Sequence, residues 1–459
     1  MKIRLILTAS RTDPLRKSDP FMPLSLPILA AAAPGHAYEF VDMLWENEVD
    51  VDRPADLVGM SVRLTAEKRA YELADAFRKR GVPVVMGGPQ VSAVPHRARR
   101  HADAVAVGEG EPLWPVIVED ARRGKLRPFY VCSPEPFDGR GAEVFQVGSY
   151  PDLAGVPHPM TGPYRKSYTF STTFAVRGCP VNCDFCSVTR LFGPRFRTRP
   201  VRDVVDEIRS FPGYYYLLDD SVFGKEETWD YYLKLYSEVA RLEKTRFWTG
   251  QANLDAASDP KGRRVIEAAV GAGLLYAAVG IESIDPETLR RNGAISKTGV
   301  RSGEDVLARI RENIRFIQDL GVIVSGWFVI GYEGDTIGTW KRTLEFCREM
   351  HILPAIFPVK AMPGTRLHDR LKREGRLDDG RLINVVNPAM RDEDVWQAMT
   401  EVRREGFSVR ENLGRVRFYA PRFRTDRIHK TIFLMVLQSK IGAGLDVSRD
   451  EFYVESGEG

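Results

Sequence analysis

With 459 residues, 43% of them hydrophobic, the chain is long enough for about three globular domains. Its 66 Lys and Arg residues barely exceed its 62 Asp and Glu residues and are spread along the chain, which argues against a nucleic-acid-binding role. No segment approaches the roughly 20 apolar residues that a membrane span needs, and the first residues carry no secretion signal. We therefore expect a soluble cytoplasmic protein with no nucleic-acid or membrane partner.

The first third of the chain alternates strand-like apolar runs with amphipathic helical stretches, one of which ends at Gly81. This alternation predicts a parallel sheet covered on both faces, in which ligands bind beyond the carboxyl ends of the strands. Glycines at two of those ends would let the backbone approach a ligand closely. The runs are KIRLIL, YEFVDM, LVGMSV, VPVVMGG and ADAVAVGEG, and the glycines are Gly87, Gly88, Gly108 and Gly110.

The fold class predicted for the whole chain is α/β. Residues 1–149 form a Rossmann-like parallel-sheet domain, and the Pro-rich residues 150–168 form a linker. Residues 169–375 form a partial (β/α)6 barrel of TIM type, whose reacting groups belong at the carboxyl ends of the strands. Residues 376–459 form a mainly helical C-terminal region, with RDEDVWQAMTEVRREGFSVRENLGRV as one helical stretch and TIFLMVLQSKIG as another apolar run. The barrel strands are YTFSTTFAV, YYYLLDD, RFWTGQ, LLYAAVGIES, VIVSGWFVIGY and LPAIFPVKAM.

Three of the five cysteines, Cys179, Cys183 and Cys186, lie close together in the segment RGCPVNCDFCSVTRLFGPRFRTRP. Thiolates at this C-x3-C-x2-C spacing, in a loop after a strand, can hold three irons of a 4Fe-4S cluster and leave the fourth iron free. A structural zinc site is the alternative, but zinc takes four ligands and no fourth Cys or His lies close in sequence. Cys132 and Cys347 stand alone and are expected to be ordinary buried thiols.

This cysteine segment resembles the signature of radical S-adenosylmethionine (SAM) enzymes. Residues 1–375 resemble the subgroup of that family with an N-terminal cobalamin-binding-type domain. The resemblance implies a 4Fe-4S cluster whose open iron binds SAM and cleaves it to a 5'-deoxyadenosyl radical. It also implies an external electron donor, a flavodoxin or ferredoxin, because the chain has no second cluster motif. The similarity extends through RLFGPRFRTRP, LLDDS, WTGQANLD, VGIES, FVIGYEGDT and AMPGT.

The resemblance also assigns residues to SAM binding. Glu282 and Ser283, in the motif GIES, would contact the ribose or the amino group of SAM. Gly331 would let the backbone lie flat near the adenine. Arg195 and Arg197 follow the cysteines and would meet the SAM carboxylate or the negative charge of the cluster. The alternatives are a structural carboxylate, a turn glycine and a solvated basic loop.

Two reactions fit this layout. Most relatives resemble cobalamin-dependent methyltransferases, but this chain lacks a D-x-H-x-x-G run and has Gln90, in GGPQVS, where relatives often have histidine. It also reads VKAMPGT in place of L-T-P-x-P-G-T, and these departures weaken the expectation of bound cobalamin. The chain is more similar to radical SAM 1,2-diol dehydratases of aminoglycoside biosynthesis. That likeness implies loss of the C3' hydroxyl of a substrate such as paromamine, with a separate nicotinamide-dependent reductase as partner. A C-methyltransferase stays open as the alternative.

A polycationic aminoglycoside would need carboxylates and aromatic faces around it. Asp219, Asp220, Glu333 and Asp335 follow predicted barrel strands and suit substrate contacts, SAM contacts or loop caps equally. We assign Asp219 and Asp220 to cofactor binding. In YYYLLDD the strand alternation puts Tyr216 on the same side as Asp220, so Tyr216 is predicted to move a proton as the hydroxyl leaves. Core packing of this tyrosine is the alternative.

Overall fold

The computed structural model describes most of the chain, and the described residues fall into two compact units. One unit contains residues 1–172 and 188–200, and the other contains residues 173–187 and the described residues from 201 onward. The domain bounds predicted from the sequence remain a prediction. The apolar run TIFLMVLQSKIG lies outside the described residues. The described residues are 1–10, 17, 19–46, 48–63, 66–164, 168–378 and 384–423.

The first unit is built on a seven-stranded parallel sheet. Its order along the sheet is β2-β1-β3-β4-β5-β6-β7, so the chain steps to one side of β1 and then returns to the other. In open α/β sheets, ligands bind beside such a reversal at the carboxyl ends of the strands. The strands are β1 (Lys2–Leu7), β2 (Ala37–Asp42), β3 (Leu57–Ser61), β4 (Val84–Gly87), β5 (Ala104–Gly108), β6 (Phe129–Cys132) and β7 (Val144–Val147).

The sequence pattern predicted five of these seven strands. The two others, β6 and β7, have four residues each and follow the last strand-like run recognised in this part of the sequence. β6 is buried throughout, whereas every residue of β7 is partly exposed.

The helices of the first unit follow the predicted alternation. α2 (Glu67–Lys79) buries its apolar side and ends just before Gly81, whose φ of +75° is a conformation that favours glycine. The remaining elements of this unit are α1 (Ser25–Ala32), α3 (Pro89–Ala93), α4 (Pro95–Ala98), α5 (Trp114–Arg122), α6 (Val188–Phe192) and the short strand β10 (Arg197–Thr198).

Another sheet has six strands in the order β15-β14-β13-β12-β11-β8, of which β11 to β15 belong to the second unit. Each of the six predicted barrel runs forms one of these strands, and parallel ladders join β11 through β15. This is the expected incomplete barrel, with the strand ends gathered at one rim. The strands are β8 (Phe170–Thr173), β11 (Tyr214–Leu217), β12 (Trp248–Ala252), β13 (Leu274–Glu282), β14 (Ile323–Ile330) and β15 (Leu353–Pro358), and the short strand β9 (Val176–Arg177) lies outside this sheet.

Helices alternate with these strands up to α13. They bury apolar faces, such as the side of α8 that carries Leu235 and Tyr236. Among the described residues, no helix combines the length and the apolar character that a membrane crossing requires. The helices are α7 (Val201–Ser210), α8 (Trp229–Ala240), α9 (Pro260–Gly271), α10 (Pro286–Arg291), α11 (Val306–Asp319), α12 (Ile337–Glu349), α13 (Arg366–Arg373), α14 (Asp392–Gly406) and α15 (Val409–Tyr419).

The predicted single helical stretch near the C-terminus is two helices, α14 and α15. The break has a local cause, because the Ser408 hydroxyl caps the second helix by accepting a hydrogen bond from the Glu411 N–H at 3.4 Å. α15 then packs on the barrel through a polar side chain. The Tyr419 hydroxyl accepts hydrogen bonds from the backbone N–H of Val324 at 3.1 Å and the amide of Gln318 at 3.0 Å.

Candidate active site

The three clustered cysteines lie on the loop that follows β9, at the rim of the barrel. The loop begins at Gly178, whose φ of +92° requires glycine, and tightens where the Cys186 N–H donates to the Cys183 carbonyl at 3.1 Å. All three cysteines are free of disulfides. Local backbone geometry therefore presents three thiols on one short loop.

Residues distant in sequence hold this loop in place. Arg366, at the start of α13, donates to the Asn182 carbonyl at 2.9 Å and forms an ion pair with the Asp184 carboxylate. The backbone of Asp184 is also bonded on both sides, to the Asn292 carbonyl at 3.1 Å and the Leu367 N–H at 2.8 Å. The loop is thus tied to two other parts of the same unit.

The charge around the thiols suits an anionic cluster. Burial raises the pKa of Cys179 and raises that of Cys183 to about 12, while the Lys297 ammonium acts on both in the opposite direction. Burial alone would lower the pKa of Lys297, but Glu282, Cys183 and Cys186 raise it above its usual value. A lysine that stays charged beside three thiols compensates the negative charge that thiolates and a cluster bring.

The thiols of the chain alone do not form a closed metal site. Among the described residues, no three Cys, His, Asp or Glu side chains already stand where they would together hold a metal ion. Cluster assembly would therefore have to draw the three sulfurs together. The donor set of three thiols outside any disulfide, beside a cation, fits a 4Fe-4S cluster.

Glu282 sits in a distorted strand end. β13 shifts its register against β14 between Gly280 and Glu282, and Glu282 has a φ of +66°, a conformation that costs a non-glycine residue about 1–3 kcal/mol. The distortion brings the Glu282 carboxylate onto the Lys297 ammonium. A Cβ at Gly280 would lie 2.6 Å from Lys297 Nζ, so only glycine leaves room for this pair.

Lys297 is a site residue that the sequence analysis missed. It lies in a short 3-10 helix (Ile295–Thr298) after α10, outside every recognised motif, and only the fold brings it to Glu282 and the cysteines. Ser283, which was predicted beside Glu282, is buried, and its hydroxyl accepts a hydrogen bond from the Asp285 N–H at 3.0 Å. Its predicted contact with SAM stays a prediction.

Replacing Lys297 with methionine is expected to destabilise the protein by about 3–5 kcal/mol, because it leaves the Glu282 carboxylate, 11% exposed, without its partner. The measurement is the free energy of unfolding of the cluster-free protein in denaturant. The double variant Lys297→Met/Glu282→Gln is the matched control and should recover most of the loss. A Lys297→Met variant within about 0.5 kcal/mol of wild type would show that the pair contributes little.

Gly331 and Asp335 form a rigid turn after β14. Gly331 has a φ of +103°, and the N–H groups of Gly331 and Tyr332 both donate to the Asp335 carboxylate, at 2.9 and 3.0 Å. Burial raises the pKa of Asp335 to about 6, against the effect of these two hydrogen bonds. The glycine is required by the turn itself, and its place beside the adenine of SAM remains a prediction.

Asp219 is occupied by structural hydrogen bonds. Its side chain, 1% exposed, accepts from the N–H groups of Ala175 and Val176 at 2.7 and 3.0 Å and from the Tyr232 hydroxyl at 2.8 Å. These bonds fix the segment that enters the cysteine loop. A contact with SAM, as predicted from the sequence, would have to share a carboxylate that already has three donors.

Asp220 differs from the neighbouring Asp219 in its hydrogen bonding. Within the described part of the chain, its carboxylate has no hydrogen-bond partner, and it lies near enough to Cys179 and Lys297 to act on them electrostatically. Burial, followed by the Asp219 charge, raises the pKa of Asp220 to about 7. A carboxyl group with this pKa can bind a cation or exchange a proton near neutral pH.

Asp220 is expected to make stability depend on pH. Its pKa is raised in the folded protein from 3.8 to about 7, so its contribution to stability is complete below pH 4 and is lost as the pH rises through 7. Asp220→Asn, which mimics the protonated form, should match wild type at pH 4 and exceed its stability at pH 8. Denaturant unfolding of the cluster-free proteins at both pH values measures the difference, and equal differences at pH 4 and pH 8 would refute the shift.

Tyr216 faces the same interior as Asp220 and forms a side-chain hydrogen bond with Gln251 on β12. Burial, with smaller contributions from Tyr276 and the two aspartates, raises the pKa of Tyr216 above its usual value. A higher pKa opposes proton release near neutral pH, so Asp220 is better matched than Tyr216 to proton transfer. The catalytic role of Tyr216 stays a prediction.

Arg195 and Arg197 belong to the first compact unit, whereas the cysteines belong to the second. Arg195 is exposed. Arg197 pairs with the buried carboxylate of Glu109 at 2.6 Å and donates to the carbonyls of Pro151 and Phe192 at 2.8 and 3.0 Å. Arg197 therefore has a structural role within its own unit, and SAM contacts of both arginines remain predictions.

Two strand-end glycines of the first unit are needed because neighbouring backbone atoms pack closely against them. A Cβ at Gly88, where φ is +97°, would lie 2.8 Å from Val62 N, and one at Gly108 would lie 2.3 Å from the Cys132 carbonyl oxygen. Gln90, which stands where relatives often have histidine, is buried and donates to the Glu67 carboxylate at 2.7 Å. Position 90 therefore offers no free side chain at this edge of the sheet.

A family model matches the part of the chain that contains the cysteine loop and most of the barrel strands. Residues 174–347 match the model of the radical SAM superfamily, and this range contains the three cysteines, Glu282 and Gly331. This part of the chain is therefore similar to radical SAM enzymes, a family in which a 4Fe-4S cluster and SAM act together.

Curated relatives align over most of the chain. Bacteriochlorophyllide d C-8(2)-methyltransferase of Chlorobaculum tepidum is 26% identical over 386 residues, which cover 80% of each protein. Bacteriochlorophyllide d C-12(1)-methyltransferase of the same organism is 24% identical and covers 76% of this chain and 74% of the relative. Hopanoid C-2 methylase of Rhodopseudomonas palustris is 28% identical over 66% of this chain and 55% of the relative.

Two solved structures share the fold. The cobalamin-dependent SAM radical enzyme OxsB, with aqua-cobalamin and SAM bound, superposes with a TM-score of 0.68 and 14% identity over 98% of this chain and 74% of that one. The radical SAM methyltransferase TsrM of Kitasatospora setae, with tryptophan and a SAM analogue bound, gives 0.64 and 16% over 81% of this chain and 76% of that one. The predicted α/β fold is confirmed by these likenesses.

Proposed function

We propose that the chain is a cobalamin-dependent radical SAM methyltransferase acting on a small molecule. The observation that carries the proposal is that relatives aligned over 76–80% of the chain are methyltransferases. The parallel-sheet unit that precedes the radical SAM domain supports the same reading, since structures with this fold include cobalamin-dependent enzymes.

The residues of the second unit would have different roles in binding the cluster and SAM. When bound, the 4Fe-4S cluster supplies the electron that cleaves SAM, and cobalamin supplies a carrier for the methyl group. Cys179, Cys183 and Cys186 would hold the cluster. Asp220, which has no hydrogen-bond partner among the described residues, would bind the cationic amino group of SAM or accept a proton from substrate.

The first unit fits cobalamin held through the edge of the sheet and its backbone. Gln90 is committed to Glu67, so position 90 supplies no side-chain ligand to cobalt. The reversal of strand order beside β1 provides the place where this fold class binds ligands. Cobalt would therefore be held without a side-chain ligand from position 90.

The acidic side chains favour methyl transfer over the aminoglycoside dehydration expected from the sequence. Three of the four carboxylates proposed for a polycationic substrate have internal partners. Asp219 and Asp335 accept backbone N–H groups, and Glu333 pairs with Arg376 at 2.6 Å. Of these four carboxylates, only Asp220 is left to contact a cationic sugar. One carboxylate balances little of the positive charge of a polycation.

The inner face of the barrel supports an apolar or aromatic substrate surface. Trp327 on β14 and Phe357 on β15 pack with ring centroids 5.3 Å apart, and Phe357 is 42% exposed. Leu218, just after β11, is 41% exposed. Large apolar side chains left exposed beside a reaction site are typical of a binding surface for an apolar molecule.

The electron has to come from a separate donor, for which we propose a flavodoxin or ferredoxin. The chain has five cysteines, and the two outside the cluster loop, Cys132 and Cys347, are buried in β6 and α12. They cannot bind a second cluster. We also propose a cytoplasmic location, and the nicotinamide-dependent reductase would be a partner only in the dehydratase alternative.

Cobalamin binding tests the proposal. The full chain, produced in cells supplied with hydroxocobalamin and purified without oxygen, should retain close to one cobalamin per chain and show its visible spectrum. Cys183→Ala is the matched control, because it should lose iron and keep the vitamin. Full iron content with no cobalamin would overturn the methyltransferase proposal and favour the dehydratase.

A further inference from the structure

The Tyr332 hydroxyl is buried and unsatisfied. The residue is 3% exposed, and within the described chain its hydroxyl has no hydrogen-bond partner. Such a group costs about 1–3 kcal/mol, and native proteins contain few of them. A bound group that accepts a hydrogen bond from this hydroxyl would remove the cost.

The tyrosine ring lies against the cysteine loop. Its centroid is 6.0 Å from that of Phe185, the residue before Cys186, with the ring planes tilted by 56°. Burial first, and then the charges of Glu282, Cys183 and Cys186, raise the pKa of the Tyr332 hydroxyl well above its usual value. The hydroxyl is therefore close to the thiols that would hold the cluster.

The backbone of Tyr332 is fixed on both sides. Its N–H donates to the Asp335 carboxylate at 3.0 Å, and its carbonyl accepts from the Asp335 N–H at 3.0 Å and from the Asn387 side-chain amide at 2.7 Å. These bonds fix the backbone from which the ring projects. The ring therefore starts from a fixed position beside Phe185 of the cysteine loop.

We propose that the Tyr332 hydroxyl donates a hydrogen bond to a sulfur of the 4Fe-4S cluster, either a cysteine thiolate or a bridging sulfide. Reduction adds negative charge to the cluster, and a donor to sulfur stabilises the more negative state, which raises the reduction potential. Tyr332 therefore makes the cluster easier to reduce. The proposal depends on the radical SAM domain and is independent of methyl transfer.

The test is a redox titration of the reconstituted cluster without SAM. Tyr332→Phe removes only the hydroxyl, so the full chain should bind as much iron and sulfide as wild type but titrate at a more negative potential. Tyr236→Phe is the matched control. It also removes a hydroxyl from a fully buried tyrosine, but one that bonds to the Val222 carbonyl, so its potential should equal that of wild type.

A second substitution keeps the test decisive if Tyr332→Phe binds less iron. 3-Fluorotyrosine placed at position 332 keeps the ring and makes the hydroxyl a stronger donor, so the potential should shift in the positive direction. An unchanged potential in the fluorinated protein, or in Tyr332→Phe at full iron content, would overturn the proposal. Failure of methyl transfer would leave these potentials unaffected.

Discussion

Cys183→Ala should reduce bound iron to near background and abolish reductive cleavage of SAM. Three thiolates hold three irons of the cluster, so removing one leaves two anchors and an exposed iron corner. The loop that carries the thiols is fixed by Arg366 and Asp184, which prevents another part of the loop from supplying a replacement ligand. Iron and sulfide analysis after anaerobic reconstitution, with detection of 5'-deoxyadenosine, measures both effects.

Two other cysteines provide matched controls. Cys132 is buried in β6 and Cys347 in α12, and burial raises the pKa of both thiols to about 12. Alanine at either position should lower stability modestly, by about 1 kcal/mol, and leave the iron content unchanged. Cys183→Ala protein that keeps wild-type iron would contradict the assignment of the cluster to this loop.

Asp219→Ala should lower the free energy of unfolding by about 4 kcal/mol. The substitution removes the acceptor of three hydrogen bonds and leaves the N–H groups of Ala175 and Val176 buried without a partner. Those two residues lead into the cysteine loop, so the variant should also bind the cluster more weakly. Denaturant unfolding of the cluster-free protein and iron retention during dialysis measure the two effects.

Asp220→Ala, the adjacent carboxylate, is the matched comparison. Its side chain has no hydrogen-bond partner among the described residues, so its loss should cost less than about 0.5 kcal/mol at pH 5, where the group is mostly protonated. Its effect should instead be on SAM or substrate. Equal destabilisation by the two substitutions would contradict the division between a structural Asp219 and an available Asp220.

The long, regular parts of the fold could be predicted from the sequence. Strands such as β13 and β14 are largely apolar runs because a parallel sheet buries both of their faces. The pattern failed where the structure depends on one local interaction. The break between α14 and α15 is set by the Ser408 cap, and the helical periodicity on either side gives no sign of it.

The site residues also fall into two groups, those that the sequence could reveal and those that only the structure reveals. The cysteines and Glu282 could be found because local spacing and a strand-end motif mark them. Lys297 and Tyr332 could not. Lys297 meets Glu282 only in the folded chain, and only the structure shows that the Tyr332 hydroxyl is buried with no partner among the described residues. Arg197 shows the opposite case, in which a basic residue near the motif bonds to Glu109.

Electrostatic interactions connect these residues of the proposed site. Lys297 compensates the charge of the thiols, Glu282 fixes Lys297, and Arg366 fixes the loop. Asp220 remains as the carboxyl group whose protonation changes near neutral pH. The rim of the barrel thus combines a site for an anionic cluster with one group available to SAM or substrate.

The products formed from SAM test the central claim most directly. The reduced protein, carrying its cluster and supplied with cobalamin, should be incubated with methyl-deuterated SAM and a small-molecule extract of cells that make the protein. Methyl transfer predicts S-adenosylhomocysteine together with 5'-deoxyadenosine and a deuterium-labelled small molecule, none of them above background with Cys183→Ala. 5'-Deoxyadenosine alone, with no S-adenosylhomocysteine and no labelled product, would contradict it.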